Sequence, residues 1–527
     1  MSMRSLSLAL CVAATLAGCK ESSSRTAAST KPLVGGVGRL LVAGRIDDPR
    51  VSPDYRFATF LKDAQKPPVR GVSPKVRVGT LEAVSLSDGT LRKLGEGVTN
   101  APGGYLVSPD ARWVLLLEGY NMVSQAGVAK LLDLTRPEAK ALTLGQAVTF
   151  FAFSPDSKHV ALVDDGVLKL SPVGQDARRL GGEVSTATFS QDSKTLVFRR
   201  KLSAGAALLV AKVGGTAEPL KVSDGVVAYT LSPDSARVAF TKRSPETQNT
   251  VDLWESPLAK PAPHRVAEGT SAFAFSPDGK WLGRTEAVPP GGEGKLVVGP
   301  ANGGPGKPVG EKVSTFQFAP TSNAVAALGQ WNERTNVGKL TVATLPDVTV
   351  DTAPERARDL TWDPTGRFIA YSAQVLKPMI AINLYVYSLG TKTSRKVGDW
   401  VYGWTFAPKD HYLLFRTDCQ REGRACDLDL LDLTKEAEAK KVLSAVYTFQ
   451  PSPDAQRLLF TYARLDSETF DAATFDVGKK TRLTLDERTN LPTLFAAEDG
   501  SRALYVVPGG AHPGLYLAPT AGGVVED

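Results

Sequence analysis

A short motif recurs along the chain at a nearly constant spacing, and this repeat restricts the possible folds more than any other feature of the sequence. The triplet Ser-Pro-Asp occurs six times, with its proline at positions 53, 109, 155, 233, 277 and 453. Five degenerate copies have the corresponding position at 191, 320, 364, 408 and 497. Eight of the ten gaps between neighbouring copies are 42 to 46 residues long. A fixed period in this range is the sequence signature of a repeat architecture.

The residues around each motif predict two β-strands joined by a tight turn. Ser-Pro-Asp-Gly at 276–279 suits a type I turn, with Ser, Pro and Gly in their preferred places. Aromatic residues recur two and four positions before the proline, with small or polar residues between them, which is the period-2 pattern of a strand. Aspartate side chains bond nearby backbone N–H groups and fix such turns. We therefore predict a structural turn role for Asp54, Asp110, Asp156, Asp192, Asp234, Asp278 and Asp454.

Two further apolar runs follow the turn in each repeat, so a unit of about 44 residues contains four short strands. Four short strands per repeat describe one blade of a β-propeller. The motif resembles the PD40 (WD40-like) propeller repeat of TolB-like periplasmic proteins and of prolyl oligopeptidase-type enzymes. The resemblance covers nearly all of residues 38–527, and it implies an all-β propeller body built from about eleven four-stranded blades. No Gly-x-Ser-x-Gly elbow of a hydrolase occurs in the sequence.

The number of repeats predicts the domain organisation. Because propellers usually have four to eight blades, eleven repeats predict two propellers in tandem, at 38–312 and 313–527. A division into four and seven blades and a single large ring are the alternatives. In a ring, the run Gly38–Gly44 would supply a closing outer strand and remove an open sheet edge.

The first residues carry the features of an export signal. A weakly basic start precedes an apolar stretch of 14 residues, which at 1.5 Å per residue spans about 21 Å, less than a bilayer core of about 30 Å. The stretch ends in Leu-Ala-Gly-Cys, which resembles the lipobox of bacterial lipoproteins. The resemblance implies a signal peptide at 1–18, lipid on Cys19 and a flexible tether at 19–37. Lys20, by resemblance to enterobacterial sorting, implies the outer membrane of the cell envelope.

Two cysteines follow the signal segment and its lipobox. Cys419 and Cys426 lie in a short, charged segment between apolar runs. In an exported protein such a pair predicts a disulfide at a hairpin tip. A redox or metal pair is the alternative, but the six intervening residues and the lack of neighbouring His or Cys residues disfavour it.

Signals of catalysis are weak throughout the sequence. The four histidines, at 159, 264, 411 and 512, fall in different repeats, and no P-loop, His-Glu-x-x-His or Cys-x-x-Cys motif occurs. One carboxylate per turn is too few for a calcium site. A net charge of +7 over 527 residues does not indicate nucleic-acid binding. We therefore expect no catalytic residue, no metal and no cofactor.

Candidate partner-binding residues lie where the innermost strands begin, at the mouth of the predicted central funnel. They are Arg358, Asp359, Trp400, Tyr402 and Tyr447. Aromatic and arginine side chains dominate binding hot spots, although ordinary loop packing uses the same residues. The sequence therefore predicts a non-catalytic, lipid-anchored scaffold that holds an unidentified envelope protein, as the TolB resemblance implies. The alternatives are a propeller that binds or cleaves a saccharide or peptide in its funnel, and a structural lipoprotein without a ligand.

Overall fold

The computed structural model describes residues 37–522 and 524–525, apart from gaps at 70, 137, 204, 246–249, 289–291, 333, 336, 377–380, 410, 421–424 and 464–468. The predicted signal peptide, Cys19 and all of the tether except Val37 lie outside the described residues. Within the described ranges no helix is long and apolar enough to cross a membrane.

The described residues form β-strands and turns, and no helix occurs among them. The first strand, β1 (Arg39–Ala43), precedes ten antiparallel four-stranded meanders and then an eleventh sheet that β1 itself completes. We call these sheets 1 to 11 in chain order. Sheet 1 contains β2 (Ile46–Val51), β3 (Phe57–Gln65), β4 (Val78–Ser85) and β5 (Leu91–Thr99). Sheet 2 contains β6 (Tyr105–Val107), β7 (Trp113–Asn121), β8 (Ala126–Asp133) and the first part of β9 (Leu142–Phe153). Sheet 3 contains the second part of β9, β10 (His159–Asp164), β11 (Val167–Pro172) and β12 (Arg178–Gly181). Sheet 4 contains β13 (Val184–Phe189), β14 (Thr195–Leu202), β15 (Gly205–Lys212) and β16 (Leu220–Ser223).

The remaining sheets follow the same order. Sheet 5 contains β17 (Val226–Leu231), β18 (Arg237–Arg243), β19 (Val251–Pro257) and β20 (His264–Ala267). Sheet 6 contains β21 (Phe273–Phe275), β22 (Trp281–Glu286), β23 (Gly294–Pro300) and the first part of β24 (Lys307–Phe318). Sheet 7 contains the second part of β24, β25 (Ala324–Asn332), β26 (Val337–Thr344) and β27 (Thr349–Ala357). Sheet 8 contains β28 (Asp359–Trp362), β29 (Phe368–Leu376), β30 (Ala381–Ser388) and β31 (Thr393–Val401). Sheet 9 contains β32 (Trp404–Phe406), β33 (Tyr412–Gln420), β34 (Ala425–Asp432) and β35 (Lys440–Val446). Sheet 10 contains β36 (Thr448–Pro451), β37 (Arg457–Ala463), β38 (Phe470–Asp476) and the first part of β39 (Thr481–Phe495), which also pairs with β42 (Val524–Val525). Sheet 11 contains the end of β39, β40 (Arg502–Val507), β41 (Gly514–Pro519) and, as its outer strand, β1.

Hydrophobic packing joins each sheet to the next one along the chain. Ten buried clusters of the described residues link sheet 1 to sheet 2, sheet 2 to sheet 3 and so on to sheet 11. The eleventh cluster packs Val42 and Leu504 of sheet 11 against Phe60 of sheet 1, so the succession returns to its start. Radially repeated four-stranded meanders are the arrangement of a β-propeller. The all-β propeller class predicted from the repeat is confirmed.

The predicted closing strand is also confirmed. Strand β1 pairs antiparallel with β41, from Arg39 opposite Leu517 to Ala43 opposite Gly514. Because sheet 11 takes its fourth strand from the beginning of the chain, backbone hydrogen bonds tie the two ends of the described chain into one sheet.

The predicted domain boundary at 312/313 falls inside a continuous strand. The first part of β24 pairs with β23 and the second part with β25. A buried cluster packs Leu296 and Val298 of sheet 6 against Val325 of sheet 7. Residues 35–527 form one compact unit. Strand pairing and hydrophobic packing therefore continue through this position.

Each intact motif forms a turn that is closed by its own side chains. In the third copy, the Ser154 hydroxyl donates to Asp156 Oδ1 at 2.6 Å, and the Lys158 N–H donates to the same oxygen at 3.1 Å. Partial burial alone would raise the pKa of Asp156, but these bonds outweigh it and hold the pKa below its usual value. The same serine-to-aspartate bond, 2.5 to 2.7 Å long, forms at Asp54, Asp110, Asp192, Asp234, Asp278 and Asp454.

Neighbouring turns are also bonded to each other. The Asp110 N–H donates to Ser157 Oγ of the next turn at 3.0 Å, and the Asp156 N–H donates to Ser193 Oγ at 3.0 Å. Ser235 and Ser322 accept the same bond. Each accepting serine lies two residues after the motif proline position, with φ near +60°. The turns thus connect neighbouring sheets as well as the strands within one sheet.

Ala111 occupies this serine position in sheet 2, where no hydroxyl is present to accept a bond from the turn of sheet 1. Its φ of 58° matches that of the serines, and its side chain is fully buried. We expect Ala111→Ser to raise the free energy of unfolding by about 0.5 to 1.5 kcal/mol, because it supplies an acceptor for the Asp54 N–H. Denaturant unfolding measures the change, and Ser157→Ala should give a loss of similar size. A destabilised Ala111→Ser protein would contradict this view of the turns.

A second inter-sheet contact recurs at the outer rim. A basic side chain near the start of a fourth strand donates to backbone carbonyls in the turn before the fourth strand of the next sheet, and we call this contact a rim clasp. Arg92 donates to Ala139 O at 2.9 Å, and Lys307 donates to Asp347 O at 2.7 Å. Arg39 of β1 donates to Ser87 O of sheet 1 at 3.2 Å, which adds a clasp across the closing junction. The other rim clasps in the described chain are those of Arg178, His264 and Arg395.

Candidate functional site

The five predicted binding residues lie at three neighbouring junctions, where the fourth strand of one sheet leads into the first strand of the next. Arg358 and Asp359 lie between sheets 7 and 8, Trp400 and Tyr402 between sheets 8 and 9, and Tyr447 between sheets 9 and 10. Six of the junctions between successive sheets turn sharply, because the residue eight before the motif proline position has a left-handed backbone there. These residues are Glu183, Gly225, Gly269, Lys312, Trp400 and Ala445.

Trp400 is the largest side chain at this junction position. Its φ is 53°, and 45% of its surface is exposed. Glycine, which occupies the position at 225 and 269, adopts such a backbone readily, whereas an L-residue with a side chain is destabilised there by about 1 to 2 kcal/mol. The fold therefore presents an indole to solvent at a backbone position that disfavours it.

Arg416 connects the two junctions that flank sheet 9. The Tyr402 N–H donates to Arg416 O at 2.9 Å, and Arg416 Nη2 donates back to Tyr402 O at 3.1 Å. Arg416 Nη1 donates to Tyr447 O on the next sheet. Burial lowers the pKa of the Arg416 guanidinium. One side chain thus fixes the backbone positions of two candidate residues.

Sequence reasoning missed Arg416, although a signal was available. Arg416 lies eight residues after the motif position at 408, and Arg199 lies eight residues after the one at 191. Arg199 donates to Val227 O, which is the carbonyl equivalent to that of Tyr447 in the next repeat. An arginine at this step of the repeat therefore bridges to the following sheet.

Tyr447 is held from two sides. Its N–H donates to Thr461 O at 2.8 Å, and its ring stacks on Phe470 with 5.0 Å between centroids and an interplanar angle of 6°. We call Trp400, Tyr402, Tyr447 and Phe470 the aromatic edge. Arg416 bonds the backbone of Tyr402 to that of Tyr447, and Trp400 and Phe470 lie at the ends of β31 and β38, which suits a preformed binding surface.

Arg358 and Asp359 are positioned separately from the aromatic edge. The Arg358 N–H donates to Ser372 O at 2.8 Å, and the Ser372 hydroxyl donates to Asp359 Oδ2 at 3.1 Å. Both contacts are made within sheet 8. Arg416 bonds Tyr402 to Tyr447 across sheet 9, whereas the contacts described here for Arg358 and Asp359 lie within sheet 8.

The predicted disulfide is present near the aromatic edge. Cys419 and Cys426 are bonded across the hairpin of β33 and β34. On the same hairpin, burial and the neighbouring carboxylates of Asp427 and Asp418 raise the pKa of Asp429, against the hydrogen bond from Thr417. The disulfide between Cys419 and Cys426 therefore braces the hairpin whose strand β33 contains Arg416.

The first strands of the sheets present few charged side chains to solvent at one recurring position. The residue three before the motif proline position is exposed or half-buried in every described sheet. These residues are Arg50, Leu106, Ala152, Thr188, Thr230, Ala274, Gln317, Thr361, Thr405, Gln450 and Leu494. Within the described ranges no group of three or more His, Cys, Asp or Glu side chains is placed to hold a metal ion.

A cavity of about 390 Å³ lies at the closing junction. It is lined by first-strand and turn residues of sheets 1, 10 and 11, among them Val51, Tyr55, Gln450 and Leu494. None of the five predicted binding residues contributes to it.

Comparisons with known proteins give only distant likenesses. No protein-family model and no curated protein matches the chain. A eukaryotic initiation factor structure matches 91% of this chain and 100% of its own, at 11% identity and a TM-score of 0.43. A structure assigned to TolB from Agrobacterium tumefaciens matches 40% of this chain and 83% of its own, at 15% identity and a TM-score of 0.26. An oligogalacturonate lyase in complex with manganese matches 59% of this chain and 84% of its own, at 12% identity and a TM-score of 0.30. These values are too low to support an argument about function, which is therefore inferred from the residues themselves.

Proposed function

We propose that this protein is a non-catalytic, lipid-anchored scaffold of the bacterial cell envelope that binds another envelope protein through the aromatic edge. The exposed, left-handed Trp400 is the observation that supports this most directly. A strained residue persists where the surrounding structure holds it, and such residues cluster at functional sites. Tryptophan and tyrosine are also enriched among residues that dominate protein interfaces.

We also propose that the eleven sheets form one closed ring and not two propellers in tandem. Packing that follows the chain order from sheet 1 to sheet 11 and returns to sheet 1 supports this arrangement. The clasp from Arg39 to sheet 1 supports it as well, because a division at 312/313 would place sheets 1 and 11 in different rings.

The anchor proposed at Cys19 fits this arrangement. The proposed lipid attachment at Cys19 precedes β1 in the chain. The chain then enters the body at the outer strand of sheet 11.

Replacing Trp400 by glycine separates binding from folding. We expect Trp400→Gly to reduce recovery of the partner at least tenfold, because the indole is the main exposed anchor of the edge. Stability should be unchanged or up to about 1 kcal/mol higher, because glycine relieves the left-handed strain. The measurement is cross-linking in intact cells followed by purification of the tagged protein, with thermal unfolding in parallel.

Two controls sharpen this test. Lys312→Gly changes the equivalent exposed, left-handed position between sheets 6 and 7 and should leave recovery of the partner unchanged. Cys19→Ala should remove the lipid and lower recovery of an envelope-bound partner. Normal recovery with Trp400→Gly would show that the aromatic edge is not the docking surface.

A further inference from the structure

The rim clasp between sheets 5 and 6 differs from the other rim clasps in its chemistry. His264, the first residue of β20, contacts Asn302 O through Nε2 at 3.1 Å. The other clasps in the described residues use arginine or lysine, which keep their charge at physiological pH. Histidine is the side chain that changes charge between pH 5 and 8.

A buried carboxylate lies beside this histidine. Glu255 is opposite His264 in the register of β19 and β20, and its side chain is 0% exposed. Its Oε1 accepts a bond from Arg237 Nη1 at 2.7 Å. Its Oε2 is buried and accepts no hydrogen bond from the described residues, while His264 Nδ1 lies 3.6 Å away.

A buried carboxylate oxygen without a donor is destabilising, so its surroundings must supply one. A neutral imidazole that donates from Nε2 to Asn302 O presents a bare Nδ1 lone pair to Glu255. A protonated imidazole donates from both nitrogens, to Asn302 O on sheet 6 and toward Glu255 Oε2 on sheet 5. Only the protonated form therefore satisfies both sides of the junction.

We infer that His264 and Glu255 form a pH-sensitive clasp that tightens the junction of sheets 5 and 6 on acidification. The clasp bonds both sheets only when both imidazole nitrogens carry a hydrogen. Arg237 faces the pair from β18, and Asn302 and Gly303 face the ring from the turn of sheet 6. Arg265, next on β20, pairs with Asp252 and Glu268 and is directed to a different set of carboxylates.

Amide hydrogen exchange of the full chain at pH 5.5 and pH 8.0, corrected for intrinsic rates, tests this clasp. From pH 5.5 to pH 8.0, the protection of residues 263–268 and 300–304 should fall. The internal reference is the Arg178 junction, residues 177–181 and 213–217 of the same molecule, and the fall should be about five- to tenfold larger than the change there. His264→Arg should keep the protection at both pH values, and His264→Gln should be weakly protected at both. An equal pH response in the wild type and His264→Arg would overturn the proposal.

Glu255→Gln identifies the partner of the histidine. An amide at this position carries no charge for the imidazolium to pair with, so the pH dependence of the junction should disappear while His264 is still present. Persistence of the wild-type pH dependence in Glu255→Gln would overturn the assignment of Glu255. If Glu255→Gln does not fold, the comparison of wild type with His264→Arg still decides the proposal.

Discussion

Deletion of residues 37–44 is expected to lower the free energy of unfolding by at least about 3 kcal/mol and to cause aggregation. The deletion removes β1, whose buried Val42 alone contributes about 1.5 to 3 kcal/mol through its contacts in the cluster of sheets 11 and 1. It also removes the backbone bonds to β41 and the clasp from Arg39. Strand β41 would then be an open edge, which is a template for pairing with other chains. Denaturant unfolding and size-exclusion chromatography measure the two effects.

A point change within β1 is the matched control for the deletion. Leu40 is exposed, at 43%, and points away from the cluster that contains Val42. Leu40→Lys should therefore leave both stability and the monomeric state close to those of the wild type. A deletion protein that unfolds at the wild-type midpoint and stays monomeric would refute the closing role of β1.

Replacement of Arg416 by methionine is expected to destabilise the protein by about 2 to 3 kcal/mol and to abolish partner binding. Methionine keeps much of the length of the side chain but donates no hydrogen bond, so the carbonyls of Tyr402 and Tyr447 lose a charged donor. The two junctions would no longer be held in register across sheet 9. We expect the aromatic edge to lose its preformed geometry, and thermal unfolding and partner recovery measure the two losses.

Arg199 provides the matched control, because it makes the equivalent bridge from sheet 4 to sheet 5. Arg199→Met should lower stability in the same way and leave partner recovery intact, since no residue of the aromatic edge lies on those sheets. Arg416→Lys should retain little of the wild-type stability and partner recovery, because an ammonium group cannot reproduce the planar fork of the guanidinium. Equal binding losses in Arg199→Met and Arg416→Met would mean that general destabilisation, and not the edge, controls binding.

The repeating unit of this protein could be predicted from the sequence because its determinants are local. The turn at Asp156 is closed by bonds among residues 154 to 159. The strand pattern depends on alternation over a few residues, and the disulfide joins cysteines seven positions apart. Such interactions depend on residues that are close in the chain, so the local amino-acid sequence is sufficient to indicate them.

The candidate site was predicted only in part. Tyr402 and Tyr447 were singled out because both lie six residues before a motif proline position, and Trp400 because it lies beside Tyr402. Phe470, the fourth residue of the aromatic edge, was not predicted. Arg416 was missed because its acceptor, the carbonyl of Tyr447, lies 31 residues away on another sheet. The left-handed backbone of Trp400 was also not predictable, because that junction position is occupied by Glu, Gly, Lys, Trp and Ala in different repeats.

Residues close in the chain indicate the repeating unit, a four-stranded sheet with a Ser-Pro-Asp turn between its first two strands. Contacts between distant residues set which strand pairs with β41, which two junctions Arg416 joins and which carboxylate faces His264. The physical reason is that contacts within a repeat depend on residues close in the chain. Contacts between repeats depend on the angle at which neighbouring sheets pack, and that angle is a property of all the side chains between them.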